Sequence, residues 1–166
     1  MIEISREGPM DGPAIEKLLD IAFGAGRHTR PSYALRGGIP AIADLCFVAR
    51  RGGALAGTIR FWPLMIPGVE SGLLLGPIAV HPDHGGRGVG GRLISRGLSA
   101  ARARGADAVA AIGAAQYLGR FGFRPARDYA LEFPAEIARD RFLVLALSPD
   151  GLEKSRGMVT QAERPR

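Results

Sequence analysis

The chain has 166 residues, enough for one domain with a real core. Its hydrophobic content of 46% and charged content of 23% exclude a disordered or low-complexity protein. The net charge is +6, but the basic residues are scattered with no run longer than Arg50-Arg51, and no zinc pattern or paired-aromatic signature accompanies them. That argues against a nucleic-acid reader and for a solvated surface whose field attracts a polyanionic ligand.

Ile2 and Ile4 alternate with polar residues and predict a first strand. Asp11 is placed to cap a helix with Pro13 in its first turn, and Ile15, Leu18, Leu19 and Ala22 repeat at helical spacing. Residues 24–44 mix Gly, Pro, Arg and Tyr and predict a short second helix. Leu45 to Arg51, a Gly52-Gly53 turn and Ala54 to Ile66 read as a β-hairpin. Cys46, the single cysteine, packs there and fits a reducing cytoplasm. Pro67-Gly68 turns the chain into a strand from Glu70 to Val80. A helix follows and ends near Gly105, a left-handed cap. Ala108 to Ile112 is a short strand, and Ala114 to Phe121 a helix stopped at Gly122. Phe123 to Arg127 and Arg141 to Leu147 complete the sheet. From Ser148 the sequence turns polar and predicts a loose tail. No apolar run approaches the roughly 20 residues that span a bilayer, and Met1 to Glu7 is unlike a signal peptide. The cytoplasm is the expected location.

The most informative stretch is Val80-His-Pro-Asp-His-Gly-Gly-Arg-Gly-Val-Gly-Gly-Arg-Leu-Ile94, with five glycines between 85 and 91. Strand, glycine loop and helix start together form an anion holder. The first helical N–H groups lack intrahelical partners, the dipole is positive there, and glycine admits a phosphate close to the backbone. Arg87 and Arg92 bring full charges. A nicotinamide or flavin fingerprint fits poorly, because His81-Pro-Asp-His intervenes and the next acid, Asp107, precedes the following strand instead of ending it. A P-loop requires Gly-Lys-Ser/Thr where this chain has Gly90-Gly91-Arg92. A ligand-free turn needs fewer glycines than this.

The same stretch resembles motif A of the GNAT acyltransferases, with Ile78-Ala-Val-His-Pro82 upstream and Gly88 and Gly90 in register. Tyr117-Leu-Gly-Arg-Phe-Gly-Phe-Arg-Pro125 resembles a later element of that family, in the expected order and spacing. The resemblance covers roughly residues 1 to 147 and suggests the subgroup of small bacterial N-acetyltransferases. It implies an α/β fold: a mixed, mostly antiparallel central sheet flanked by helices, with strands 4 and 5 splayed. The expected division is an acyl-CoA N-acyltransferase domain over 1–147 and a polar tail over 148–166. The implied reaction moves an acetyl group from acetyl-CoA to a primary amine by direct attack. A non-catalytic acyl-CoA sensor is the alternative. The implied cofactor contacts are Ile78, Ala79, Val80, Gly85, Gly86, Arg87, Gly88, Val89, Gly90 and Gly91, with a backbone N–H near Val80 facing the oxyanion. The implied acceptor is a small-molecule or peptide amine, with no nucleic-acid, membrane or metal partner and with homodimer formation left open.

Gly85 stands where the motif has Arg or Gln, which removes one side-chain contact to the pyrophosphate. Leu118 stands where the family's tyrosine does, and Tyr117 comes one residue early, about 100° round a helix. Tyr117 is nevertheless the candidate acid for the leaving thiolate, and Glu70 the candidate base acting through water. His81 and His84 shape the loop. Arg27, His28, Arg30 and Tyr33 lie where the family places its acceptor loop, leaving an acidic acceptor and plain surface as the two readings.

Overall fold

The computed structural model describes residues 1–137 and 139–163. Strand β1 (Ile2–Arg6) leads into helix α1 (Gly12–Phe23), followed by short 3-10 turns over Ala25–Thr29, Pro31–Leu35 and Ala43–Leu45. Then come β2 (Phe47–Arg51), β3 (Ala54–Met65), β4 (Gly72–Val80), α2 (Val89–Ala103), β5 (Ala108–Ile112) and α3 (Ala115–Leu118). The chain continues with β6 (Arg124–Pro125), β7 (Leu131–Glu132), β8 (Phe142–Ala146), β9 (Gly157–Met158) and β10 (Thr160–Gln161). The main sheet runs β1-β2-β3-β4-β5-β8-β6, with β10 added to the far end of β3. All its pairs are antiparallel except β4 with β5.

That parallel pair is short. It runs from Gly72↔Ala108 to Leu75↔Ala111 and stops, while β4 continues to Val80 on its β3 side. Beyond Leu75 the β5-facing edge of β4 is therefore unpaired. Gly76-Pro77 follows at once, and the β3–β4 register shifts between Ile59 and Phe61. The expected splay of strands 4 and 5 is this divergence.

Helix α2 covers one face of the sheet with Val89, Leu93, Ile94, Leu98 and Ala101. Each fully buried Leu or Ile there contributes about 1.5–3 kcal/mol. The helix lies close because Gly97 has no side chain: a Cβ there would sit 2.4 Å from Phe61 Cε2. The other face carries α1, whose Ile15, Leu18 and Leu19 cover Val48 and Ala79. Asp11 precedes α1 as expected but does not cap it. Its carboxylate accepts from the N–H of Gly8 at 2.6 Å and pairs with Arg50.

Two other expectations need correction. Residues 24–44 form 3-10 turns, not a second α-helix, because Gly24, Pro31, Gly37-Gly38 and Pro40 leave no uninterrupted length for α-helical turns. The segment after Ser148 is not a loose tail. Leu152 and Val159 are buried with Leu35, Leu64 and Leu74, β9 pairs with β7, and β10 pairs with β3. Among the described residues no helix is long and apolar enough to cross a membrane.

Candidate acyl-transfer cleft

β4 and α2 are joined by one 3-10 turn, Pro82–His84, and the glycine loop. His81 shapes that turn: its Nδ1 accepts from the Asp83 N–H at 3.1 Å. Gly86 and Gly88 both have φ of +73°, a left-handed backbone that side chains resist. A Cβ at either would meet open space, so the glycines are there for backbone shape and ligand access, not to relieve crowding within the protein. Gly88 is the N-cap of α2 and no side chain caps it. The N–H groups of residues 86–91 have no protein acceptor among the described residues. A row of uncapped donors at a helix start suits the pyrophosphate of a nucleotide-like ligand. Arg87 is exposed in this loop. Arg92, expected beside it, turns away and donates to the Ile2 carbonyl at 3.0 Å.

Ile78, Ala79 and Val80 form the end of β4 next to the loop. Ile78 and Val80 face α2, and Ala79 faces α1. The place that a Gly90 side chain would take is bordered by Tyr117 Oη at 2.9 Å, Val80 Cγ2 at 3.6 Å and Ile78 Cδ1 at 4.0 Å. Tyr117 thus projects its hydroxyl into the groove between β4 and the first turn of α2. Arg120 lies over its ring at 5.6 Å, and among the described residues the hydroxyl has no hydrogen-bond partner. Leu118 is core, only 5% exposed. The one-residue offset of the tyrosine thus turns it toward the groove.

Glu70 is corrected. It is exposed and precedes β4 at the end opposite the divergence. Seven residues of extended chain, roughly 23 Å, separate it from Pro77. Asp107, at that same far end, accepts from the Ser71 N–H at 3.0 Å and the Ser148 hydroxyl at 3.1 Å. Cys46 is buried, donates to the Ile42 carbonyl at 3.2 Å, and burial pushes its thiol up to about 11. It is no nucleophile.

On the α1 face, beside Pro77, lies a pocket of about 230 Å³ lined by Glu16, Tyr33, Arg36, Arg60, Trp62 and other residues of the same elements. Arg27 is buried and binds Glu16, Asp20 at 2.9 Å and the Tyr33 hydroxyl at 2.7 Å. Burial opposes its charge, but these bonds outweigh it and hold its pKa above the ordinary range. Arg60 forms a two-pronged pair with Glu7 at 2.8 and 3.0 Å, which holds its pKa up as well. The Gly76 carbonyl, at the point of divergence, accepts from Trp62 Nε1 at 2.5 Å and from Arg36 Nη1 at 3.0 Å. Of the expected acceptor-loop residues, Arg27, His28 and Tyr33 line this pocket. Arg30 instead stacks on Phe23 at 4.5 Å. Glu16, Arg36, Arg60 and Trp62 were not singled out from sequence. They come from different elements, and no local spacing marks them. A larger open depression of about 840 Å³ lies against Leu131, Phe133 and Phe142 on the same face. It touches neither the glycine loop nor Pro77.

A mixed sheet whose fourth and fifth strands part beside a glycine-rich helix start is the architecture of an acyl-CoA-dependent transferase. The model of the acetyltransferase (GNAT) family matches residues 13–123. The chain is 33% identical over 130 residues to an uncharacterized N-acetyltransferase of Escherichia coli K12, YjhQ, covering 75% of this chain and 72% of that protein. The crystal structure of the GNAT family protein YhbS of Escherichia coli in complex with CoA superposes with a TM-score of 0.84 at 28% identity, covering 98% and 90% of the two chains. A GNAT family acetyltransferase of Brucella melitensis in complex with acetyl-CoA gives a TM-score of 0.71 at 29% identity, covering 98% and 96%. The chain belongs to the GNAT family of acetyltransferases and is an acyl-CoA-dependent N-acetyltransferase.

Proposed function

We propose that the chain transfers an acetyl group from acetyl-CoA to a primary amine by direct attack. The observation that carries this reading is the pairing of two open backbone surfaces: the uncapped N–H groups from Gly86 to Gly91, and the unpaired edge of β4 from Gly76 to Val80. The first suits a pyrophosphate, with Gly85 closing the turn before it. The second suits the amides of a pantetheine arm laid along Ile78, Ala79 and Val80. That arm brings the thioester to Gly76-Pro77, beside the pocket of Glu16, Arg36 and Trp62. The relatives of known structure that bind CoA and acetyl-CoA support acetyl-CoA as the co-substrate.

Chemistry then asks three things of the protein. A lysine-type amine, with a pKa near 10.4, must lose a proton at neutral pH. Glu16, the carboxylate on the pocket wall, is placed to take it through water. The developing oxyanion forms beside Gly76-Pro77, and the nearest backbone donors on the open edge of β4 are the N–H groups that follow Pro77, beginning at Ile78. The departing thiolate needs a proton, and Tyr117 is the hydroxyl that faces the groove.

The test is turnover of acetyl-CoA with a panel of amines, read as free thiol. Amine-dependent thiol release above the hydrolytic background is expected. Tight acetyl-CoA binding with no such release from any amine would favour a sensor and contradict transfer.

A further inference from the structure

Among the described residues, the pocket beside Pro77 holds one guanidinium that no carboxylate contacts. Arg27 and Arg60 are each neutralised, by Glu16 and Asp20 and by Glu7. Arg36 is only 6% exposed and makes no ion pair among the described residues. Its one hydrogen bond among the described residues goes to the Gly76 carbonyl, which Trp62 Nε1 already serves. A guanidinium has five N–H donors, so most of its capacity is unused. Its Cζ sits over the Tyr33 ring, 3.8 Å from the centroid, and 5.1 Å from the centroid of Trp62, so the head group is held between two aromatic side chains. Burial first, then the nearby guanidiniums of Arg60 and Arg27, depress its pKa, and the opposing pull of Tyr33 and of the Glu16 carboxylate across the pocket does not offset them. The direction is opposite to that at those two arginines. A buried charge without a partner is costly to keep, and satisfying an already satisfied carbonyl does not account for it. A guanidinium held at a pocket wall with donors to spare is the group that receives a carboxylate on two parallel bonds.

Resting on the acyl-transfer reading above, we infer that the acceptor is a small primary amine that also carries a carboxylate a few bonds from its nitrogen, and that Arg36 holds that carboxylate. Two features set the separation and the size. Arg36 touches Gly76, where the amine must reach the thioester, so anion and amine are neighbours. The pocket, at about 230 Å³, is below the range of sites for larger ligands and suits a small head group. A free amino acid and the N-terminal aspartate of a peptide share this chemistry.

Trp62 is the only tryptophan of the chain, and it reports the site directly. With CoA saturating, Trp62 emission is followed as matched pairs are added: alanine and alaninamide, β-alanine and β-alaninamide, and the peptide amides Asp-Gly and Asn-Gly. The same pairs are then run in the thiol-release assay with acetyl-CoA. At least one acid is expected to give a saturable change at tenfold lower concentration than its amide, and a kcat/KM at least tenfold higher. The responding pair identifies the source, free amino acid or peptide N-terminus. Arg36→Gln, checked for an unchanged melting temperature, should equalise the pair without altering CoA affinity, and Arg36→Lys should keep part of the preference. If the glutamine variant does not fold, the matched pairs on the native protein decide alone. Amides that bind and react as well as their acids, or acids that give neither response, overturn the inference. Failure to bind CoA at all, measured by calorimetry on the native protein, overturns the acyl-transfer reading instead.

Discussion

The loop from Gly85 to Gly91 offers consecutive backbone N–H groups and almost no side chains. The pocket beside Pro77, at the other end of β4's open edge, is walled by side chains from α1, the 3-10 turns, β3 and β4. A backbone cradle needs only the correct φ values and space, and it recognises what every phosphate shares. A side-chain pocket recognises what distinguishes one acceptor from another, and it needs support behind it. That support is visible here. The C-terminal segment buries Leu152 and Val159 with Leu35 under the acceptor turns, and Gln161 donates to the Gly37 carbonyl.

Several variants separate the two ends. The largest expected change is at Tyr117, which faces the groove between them. Tyr117→Phe should lower kcat by about 10²-fold or more while acetyl-CoA affinity stays within a few-fold, since loss of one general acid costs 10²–10⁴-fold. Thiol-release kinetics with calorimetry read both quantities, and unchanged kcat would make Tyr117 a packing residue. Next, Leu152→Ala should destabilise the fold by about 2–5 kcal/mol. A loose tail would show no change in thermal unfolding.

Leu118→Tyr follows. Leu118 Cδ1 already lies 2.8 Å from where a Gly113 Cβ would be, so a phenol there overpacks the core. A cost of about 1–3 kcal/mol is expected, with a lower melting temperature and no gain in turnover. A rise in activity with intact stability would show that the register of α3 is wrong. Smallest is Cys46. The folded state holds its thiol proton to higher pH than the ordinary 9.0, so its contribution to stability is full below about 9 and is lost as pH rises toward 11. Cys46→Ala should flatten that alkaline decline, and thiol reagents at pH 8 should label native Cys46 only on unfolding.

The contrast between the two ends also explains what the sequence disclosed. The glycine loop is contiguous, and its positive φ values at Gly86 and Gly88 demand glycine, so composition and spacing expose it. The hairpin, the helix ending before Gly105 and the short strand at Ala108 were legible from period and turn residues. The acceptor pocket was not. Glu16 and Pro77 stand sixty-one positions apart, and Arg36 is one of many arginines until its lack of a carboxylate is seen in three dimensions. Glu70 stands at the end of β4 opposite the divergence, a placement the sequence could not show because a strand's two ends look alike in it. The C-terminal segment was misread because its polar residues mask a sparse apolar set, Leu152 and Val159, that only tertiary packing reveals.

The measurement closest to the central claim is the affinity of acetyl-CoA for the native protein and for Gly88→Asp, by calorimetry at one ionic strength. Gly88 has φ of +73° at the uncapped start of α2, so an aspartate there brings both backbone strain and a charge that repels pyrophosphate. A loss of affinity of 10²-fold or more, with the melting temperature little changed, is predicted. Affinity retained within threefold would contradict the placement of the cofactor on this loop.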